Sequence, residues 1–234
     1  MSRTLCQHCQ RPTRACICTF IIAINNTIPV IVLQHPNEVK HSKGTVALLA
    51  KSLKRCQVIV GENFNDNVEL SQVLSQYHAL LLYPSEQAEV LSFSSAIKRN
   101  QAKAQQRAKT QQKERCLILL DGTWKKAYRM FMLSEKLQAL PQVCLPEKLA
   151  NSGQYLIRKV AKANALSSLE ACCYALTLLE SHESESDESY NKNDSKSKEQ
   201  NRGESIELSR YQPLLNKFAQ FNQFQLLFRQ NQNR

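Results

Sequence analysis

The chain has 234 residues, 42% of them hydrophobic, enough to bury the core of one medium domain with small appendages and too apolar for a chain disordered throughout. Against 20 Asp and Glu stand 31 Lys and Arg, a net charge of +11, which favours a polyanionic partner, nucleic acid or an anionic membrane surface. No stretch approaches the ~20 apolar residues of a membrane span, and the first residues carry no signal-type apolar region, so no membrane partner and a cytoplasmic location are expected.

Nine cysteines are present, and four of them crowd residues 1–24. Cys6-x2-Cys9 followed by Cys16-x-Cys18 supplies four soft ligands, which suit tetrahedral zinc at about 2.3 Å from each sulfur. His8 is an alternative ligand, and a redox pair is the alternative for Cys6 and Cys9, although it leaves Cys16 and Cys18 unexplained. Four protein ligands leave no open position, so the expected zinc is structural. The other cysteines lie in apolar contexts and read as small core residues.

Residues 25–180 then read as one α/β domain. Strands are predicted at Ile28–Leu33, Gln57–Val60, Ala79–Tyr83, Cys116–Leu120 and Pro141–Leu145. Helices are predicted at Lys43–Leu53, Val68–Tyr77, Trp124–Leu133 and Leu166–Leu179, with Ser85 to about Arg115 mostly helical. Short apolar strands alternating with helices argue for a mostly parallel sheet flanked by helices. In the Trp124 helix, Trp124, Tyr128, Phe131 and Met132 form one apolar face, expected to be core. Residues 181–205 contain no Leu, Ile, Val, Phe, Met or Trp and should form a flexible polar insert. Apolar periodicity returns at Ile206–Phe228, and residues 206–234 read as a C-terminal helix docked on the core.

The most informative segment is Asp121-Gly122-Thr123-Trp124, where a buried strand passes directly into a helix carrying the chain's single tryptophan. Ligands of open α/β sheets bind at the carboxyl ends of strands. Asp121 reads either as the N-cap of the following helix or as a carboxylate that takes a proton or holds a ligand. After the first strand comes Gln34-His35-Pro36-Asn37-Glu38; the proline keeps His35 extended. Ser167 followed by Glu170 fits a capping box, and a helix N-terminus also binds carboxylates or phosphates. Arg158 and Lys159 add two cations before it. The basic run Lys98, Arg99, Lys103, Arg107, Lys109, Lys113 and Arg115 is either a solvated helix face or a phosphate track.

In this order, the cysteine knuckle, Gln34-His-Pro-x-Glu38, Asp121-Gly-Thr-Trp124-x-x-Ala127, Tyr155-x-x-Arg158-Lys159 and Leu166-Ser-Ser-Leu-Glu170-Ala171 resemble the DTW-domain family of tRNA-uridine aminocarboxypropyltransferases, bacterial members included. The resemblance covers Cys6 to about Leu179. Ser167-Ser168 stands where the family usually has Ser-Thr, and no proline follows the Arg-Lys pair.

The resemblance implies transfer of the 3-amino-3-carboxypropyl group of S-adenosylmethionine to N3 of a tRNA uridine, in the variable loop for bacterial members, with release of methylthioadenosine. It implies a SPOUT-like, knotted α/β fold and tRNA as partner, with no obligate protein partner. The residues then take expected roles. Asp121 is the first choice of general base and His35 the second. Thr123 orients the base or the uracil carbonyl, and Trp124 walls the adenine or stacks on the uridine. Gly122 belongs to the same turn. Arg158, Lys159 and the Ser167, Ser168 and Glu170 turn hold the cofactor carboxylate, and Glu38 or Asp121 its ammonium. A SPOUT-like methyltransferase and a non-catalytic zinc-knuckle RNA-binding protein are the alternatives.

Overall fold

In the computed structural model of the chain, residues 4–39, 41, 44–92, 113–151, 153, 166–180 and 210–230 are described. Six strands pair in parallel: β1 (Val30–Gln34), β2 (Cys56–Val60), β3 (His78–Leu82), β4 (Glu89–Val90), β5 (Arg115–Asp121) and β6 (Gln142–Cys144). Their order across the sheet is β2-β1-β5-β3-β6-β4. The helices are α1 (Val46–Ser52), α2 (Val68–Gln76), α3 (Trp124–Leu133), α4 (Glu135–Gln138), α5 (Glu147–Ala150), α6 (Ser168–Glu180) and α7 (Gln212–Gln230).

The strands alternate between two apolar faces, as a period of two requires. On one face Val30, Val32, Leu80, Leu117, Leu119 and Val143 pack with α1, α6 and α7. On the other, Ile31, Leu33, Ala79, Leu81, Cys116 and Ile118 pack with Leu70 and Val73 of α2, Met130 of α3 and Leu137 of α4. Both faces of β1 and β5 are therefore covered, which is why these strands read as unbroken apolar runs. Helix α6 is buried nearly all round, because the sheet lies on one side and Tyr211, just before α7, joins the same core with Leu214, Phe218 and Phe221 of α7. A C-terminal helix is thus present over Gln212–Gln230, packed on that core.

Five of the predicted strands form, within two residues of their expected ends. The segment from Ser85 differs. Residues 85–92 make a turn and the short strand β4 at the sheet edge, residues 93–112 lie outside the described residues, and Arg115 already begins β5. Residues 181–205 also lie outside them.

A second difference concerns α3. Trp124, Tyr128 and Met132 are 59%, 57% and 51% exposed, and the residues that face the core are Ala127 and Met130. The expected apolar face is therefore an open one. Phe131 alone of that set turns inward, stacking on Tyr83 with ring centroids 4.5 Å apart.

Candidate active site

The strand order reverses at β1. The chain leaves β1 through α1 toward β2 at one edge, while β5 lies on the other side of β1 and its chain leaves through α3 on the opposite face. Loops diverging this way open a crevice at the carboxyl ends of the strands. Here that crevice lies between the loop after Gln34 and the turn after Asp121.

Gln34 and Asp121 face each other in register on adjacent strands. The alternation that sends Val30, Val32, Leu117 and Leu119 toward α6 sends both of these side chains the same way. Gln34 Nε2 donates to Asp121 Oδ2 at 2.9 Å, and Ser168 Oγ donates to Asp121 Oδ1 at 2.6 Å. Asp121 is 7% exposed. Its carboxylate is therefore held by one neutral donor on each oxygen, one from β1 and one from the N-terminal turn of α6.

Asp121 is not the cap of α3. Thr123 takes that place, with extended backbone and a hydroxyl that accepts from the Lys126 amide at 3.3 Å. Capping thus falls to Thr123, and both Asp121 oxygens are turned to β1 and α6. Gly122 is required by space: a Cβ there would lie 3.0 Å from Lys126 Cβ and 3.7 Å from His35 Cβ.

His35 is extended, as the following proline demands, and caps the short turn Pro36–Glu38. Its Nδ1 accepts from the Asn37 amide at 3.1 Å. In the neutral ring the proton is then on Nε2, which lies 3.3 Å from Glu62 Oε1. Glu62 also accepts from Arg129 Nε at 2.8 Å. Glu38, 3% exposed, accepts from Lys126 Nζ at 2.8 Å. These links join the loops after β1 and β2 to α3. A buried carboxylate needs such a cation, because an unpaired charge away from water is costly.

Behind Asp121, α6 begins with the predicted capping box. Glu170 Oε2 accepts from the Ser167 amide at 2.8 Å, and Ser167 Oγ accepts from the Glu170 amide at 3.2 Å. The box fixes the turn that aims Ser168 at Asp121. Arg158, Lys159 and Tyr155 lie outside the described residues, as does the basic run from Lys98 to Lys109.

Four residues of this site were not anticipated in a role: Gln34 as a holder of Asp121, and Glu62, Lys126 and Arg129 as its ionic frame. Glu62 follows Gly61 at the end of β2. The strand-end rule that singled out His35 and Asp121 points to it equally.

The knuckle is a separate centre. The Sγ atoms of Cys6, Cys9, Cys16 and Cys18 lie within 4.8 Å of one another. Cys6–Cys18 and Cys9–Cys16 are 3.7 Å apart and Cys6–Cys16 3.6 Å. A tetrahedron with bonds of 2.3 Å to sulfur has edges of about 3.8 Å, so the four thiols fit one tetrahedral ion. The backbone amides of Cys9 and His8 point at the Cys6 sulfur and pull its thiol down to about 6. Among the described residues this is the one group arranged to hold a metal. His8 is exposed and touches α1 through its carbonyl, which accepts from Lys51 Nζ at 3.1 Å.

Comparison with known proteins gives this geometry a family. The chain is 31% identical over 187 residues to tRNA-uridine aminocarboxypropyltransferase 2 of Macaca fascicularis, across 76% of this chain and 57% of that protein. It is 30% identical over 191 residues to the Drosophila melanogaster protein of the same name, across 76% and 68%. To tRNA-uridine aminocarboxypropyltransferase A of Arabidopsis thaliana it is 26% identical over 194 residues, across 76% and 73%. The chain spans little more than half the length of the mammalian relatives. No solved structure matches. The family model described as the DTW domain matches residues 3–226, nearly end to end, and the chain belongs to the DTW-domain family.

Proposed function

We propose that the protein is a tRNA-uridine aminocarboxypropyltransferase, working in the cytoplasm and without an obligate protein partner. It moves the 3-amino-3-carboxypropyl group of S-adenosylmethionine to N3 of a tRNA uridine in the variable loop and releases methylthioadenosine. The observation that carries this reading is the carboxylate of Asp121, held between β1 and α6 at the crevice of a DTW domain. The names of the aligned relatives support the substrate and the group transferred.

S-adenosylmethionine supplies the electrophile, a methylene bound to sulfonium. The rest is positioning and one proton. Uridine N3 is a poor nucleophile until its proton leaves, and Asp121 is the group we assign to take it. His35 is less suited, since Nδ1 is used by the Asn37 amide and Nε2 faces Glu62. Thr123 orients the uracil carbonyl and Trp124 stacks on the uridine or walls the adenine. Gly122 keeps the turn open for both.

The transferred chain carries an ammonium and a carboxylate. Glu38 suits the ammonium, which would share or replace Lys126 Nζ. Arg158, Lys159 and the first turn of α6 suit the carboxylate. The capping box employs the amides of Ser167 and Glu170, so a carboxylate there takes those of Ser168 and Leu169. Cys6, Cys9, Cys16 and Cys18 hold structural zinc. The parallel sheet supports the α/β part of the fold reading, and we take the fold to be SPOUT-like and knotted. The division into a knuckle at 1–24, a catalytic domain at 25–180, an insert at 181–205 and a final helix at 206–234 follows the same reading.

The test is incubation with bulk tRNA and S-adenosylmethionine, with mass spectrometry of nucleosides and by-product. Aminocarboxypropyluridine and methylthioadenosine are expected. S-adenosylhomocysteine would instead mark a methyltransferase, and no cofactor binding by calorimetry would mark a non-catalytic RNA-binding protein.

A further inference from the structure

Helix α3 leaves the site carrying two exposed stripes side by side. Trp124, Tyr128 and Met132 recur every four residues and are each more than half exposed, and this spacing puts them on one line along the helix. Lys125 and Arg129 stand one residue further round and are exposed. The Arg129 side chain is 65% exposed even though Glu62 takes its Nε. No acidic residue occurs in α3.

The stripe is held in place from behind. Ala127 and Met130 seat the helix on the sheet, and Phe131 stacks on Tyr83. The rings therefore stand on a rigid element and begin at the reaction site, because Trp124 directly follows the cap residue Thr123. Soluble chains rarely leave a contiguous apolar stripe of large side chains uncovered unless something binds it. What binds must tolerate cations among the rings. An apolar helix or a second copy of this basic chain gains nothing from Lys125 and Arg129. Unpaired nucleotides gain twice, from base stacking on the rings and from phosphate contact with the cations. Four residues of helix rise about 6 Å, which leaves room for one base against Trp124 and another against Tyr128.

We infer that the exposed face of α3 is a stacking platform for the modified uridine and the unpaired nucleotide beside it. Trp124 takes the uridine, the first of its two proposed roles, Tyr128 takes the next base, and Lys125 and Arg129 follow the phosphates. This inference rests on the reading of the chain as a tRNA-modifying enzyme and adds to it where the RNA lies.

The test uses the full chain, tRNA and a short oligouridylate. Trp124 is the single tryptophan, so its fluorescence reports the platform directly. Oligouridylate should quench it. Tyr128→Ala should raise the dissociation constants for oligouridylate and tRNA about tenfold, with S-adenosylmethionine binding and the melting temperature unchanged, and Tyr128→Phe should restore them. Arg129→Ala should lower the salt slope of tRNA binding by about one. Wild-type protein that modifies tRNA, with no quenching and with Tyr128→Ala indistinguishable from it, overturns the platform and leaves the enzyme reading standing. Wild-type protein that neither binds nor modifies tRNA overturns both. Concentration-dependent dimerisation that Tyr128→Ala abolishes, with tRNA binding intact, reassigns the face to a second copy and also overturns the inference.

Discussion

Asp121 owes its position to two neutral side chains from distant parts of the chain. Both donors can reverse: Ser168 can accept as well as donate, and the Gln34 amide can turn its oxygen toward a new donor. Asp121→Asn should therefore fold normally while losing the means to take a proton. We expect tRNA modification to fall about 100-fold or more, with the calorimetric affinity for S-adenosylmethionine within a few fold of wild type. A loss confined to the KM for S-adenosylmethionine would make Asp121 a cofactor ligand instead. Ser168 acts through Asp121 in this scheme. Ser168→Ala should lower kcat about tenfold, and Ser168→Thr, which keeps the hydroxyl, should recover it; equal losses in both variants would show that packing of the α6 turn, not its hydroxyl, matters.

Helix α6 is the element that connects the site to the rest of the fold, and both its ends are tied by carboxylates. At its start Glu170 closes the capping box. At its end the buried Glu180 accepts from the Thr27 and Ile28 amides, from Arg210 and from the Tyr211 hydroxyl, the last at 2.6 Å. A carboxylate at a helix C-terminus opposes the helix dipole, and these four donors offset that cost. Burial, and then the charge of Glu180, push the Tyr211 hydroxyl well above the ordinary phenol value. The folded state thus favours the protonated phenol. Its contribution is complete below the unfolded value of about 10 and is lost as pH rises beyond it. Tyr211→Phe should destabilise by about 2 kcal/mol at neutral pH, and the gap to wild type in urea unfolding should narrow above about pH 10. Much of this level could be read from the residues alone. Runs such as Val30–Leu33 and Cys116–Leu120 are apolar on both faces, and Ser167 and Glu170 announce a cap. The neighbours of each element could not. Gln34 and Asp121 are 87 positions apart, and their contact follows from β5 inserting beside β1, a choice made by the whole sheet. Trp124, Tyr128 and Met132 have helical spacing, but spacing does not say which side of a helix the sheet will cover. In α3 the smaller set, Ala127 and Met130, is the one buried.

At the scale of the molecule the knuckle is part of the core. Cys9 and Ile17 belong to the same buried cluster as β1, α1 and α6. Phe20 meets Phe221 and Phe224 of α7 at 5.6 and 5.5 Å, and Ile24 bridges to Leu53 at the end of α1. A metal held by the four cysteines would therefore brace the sheet and α7 together. Purified protein should contain one zinc ion per chain, and His8→Ala should leave that content unchanged, because the four thiols already complete a tetrahedron. Cys16→Ser, or strong chelation, should lower the melting temperature of the whole chain by about 10 °C or more in one transition, since losing the ion frees segments that the core needs. A knuckle folding on its own would instead show a small separate transition, with the main one unmoved. Transfer activity should fall with the shared transition even though no cysteine lies among the residues that frame Asp121.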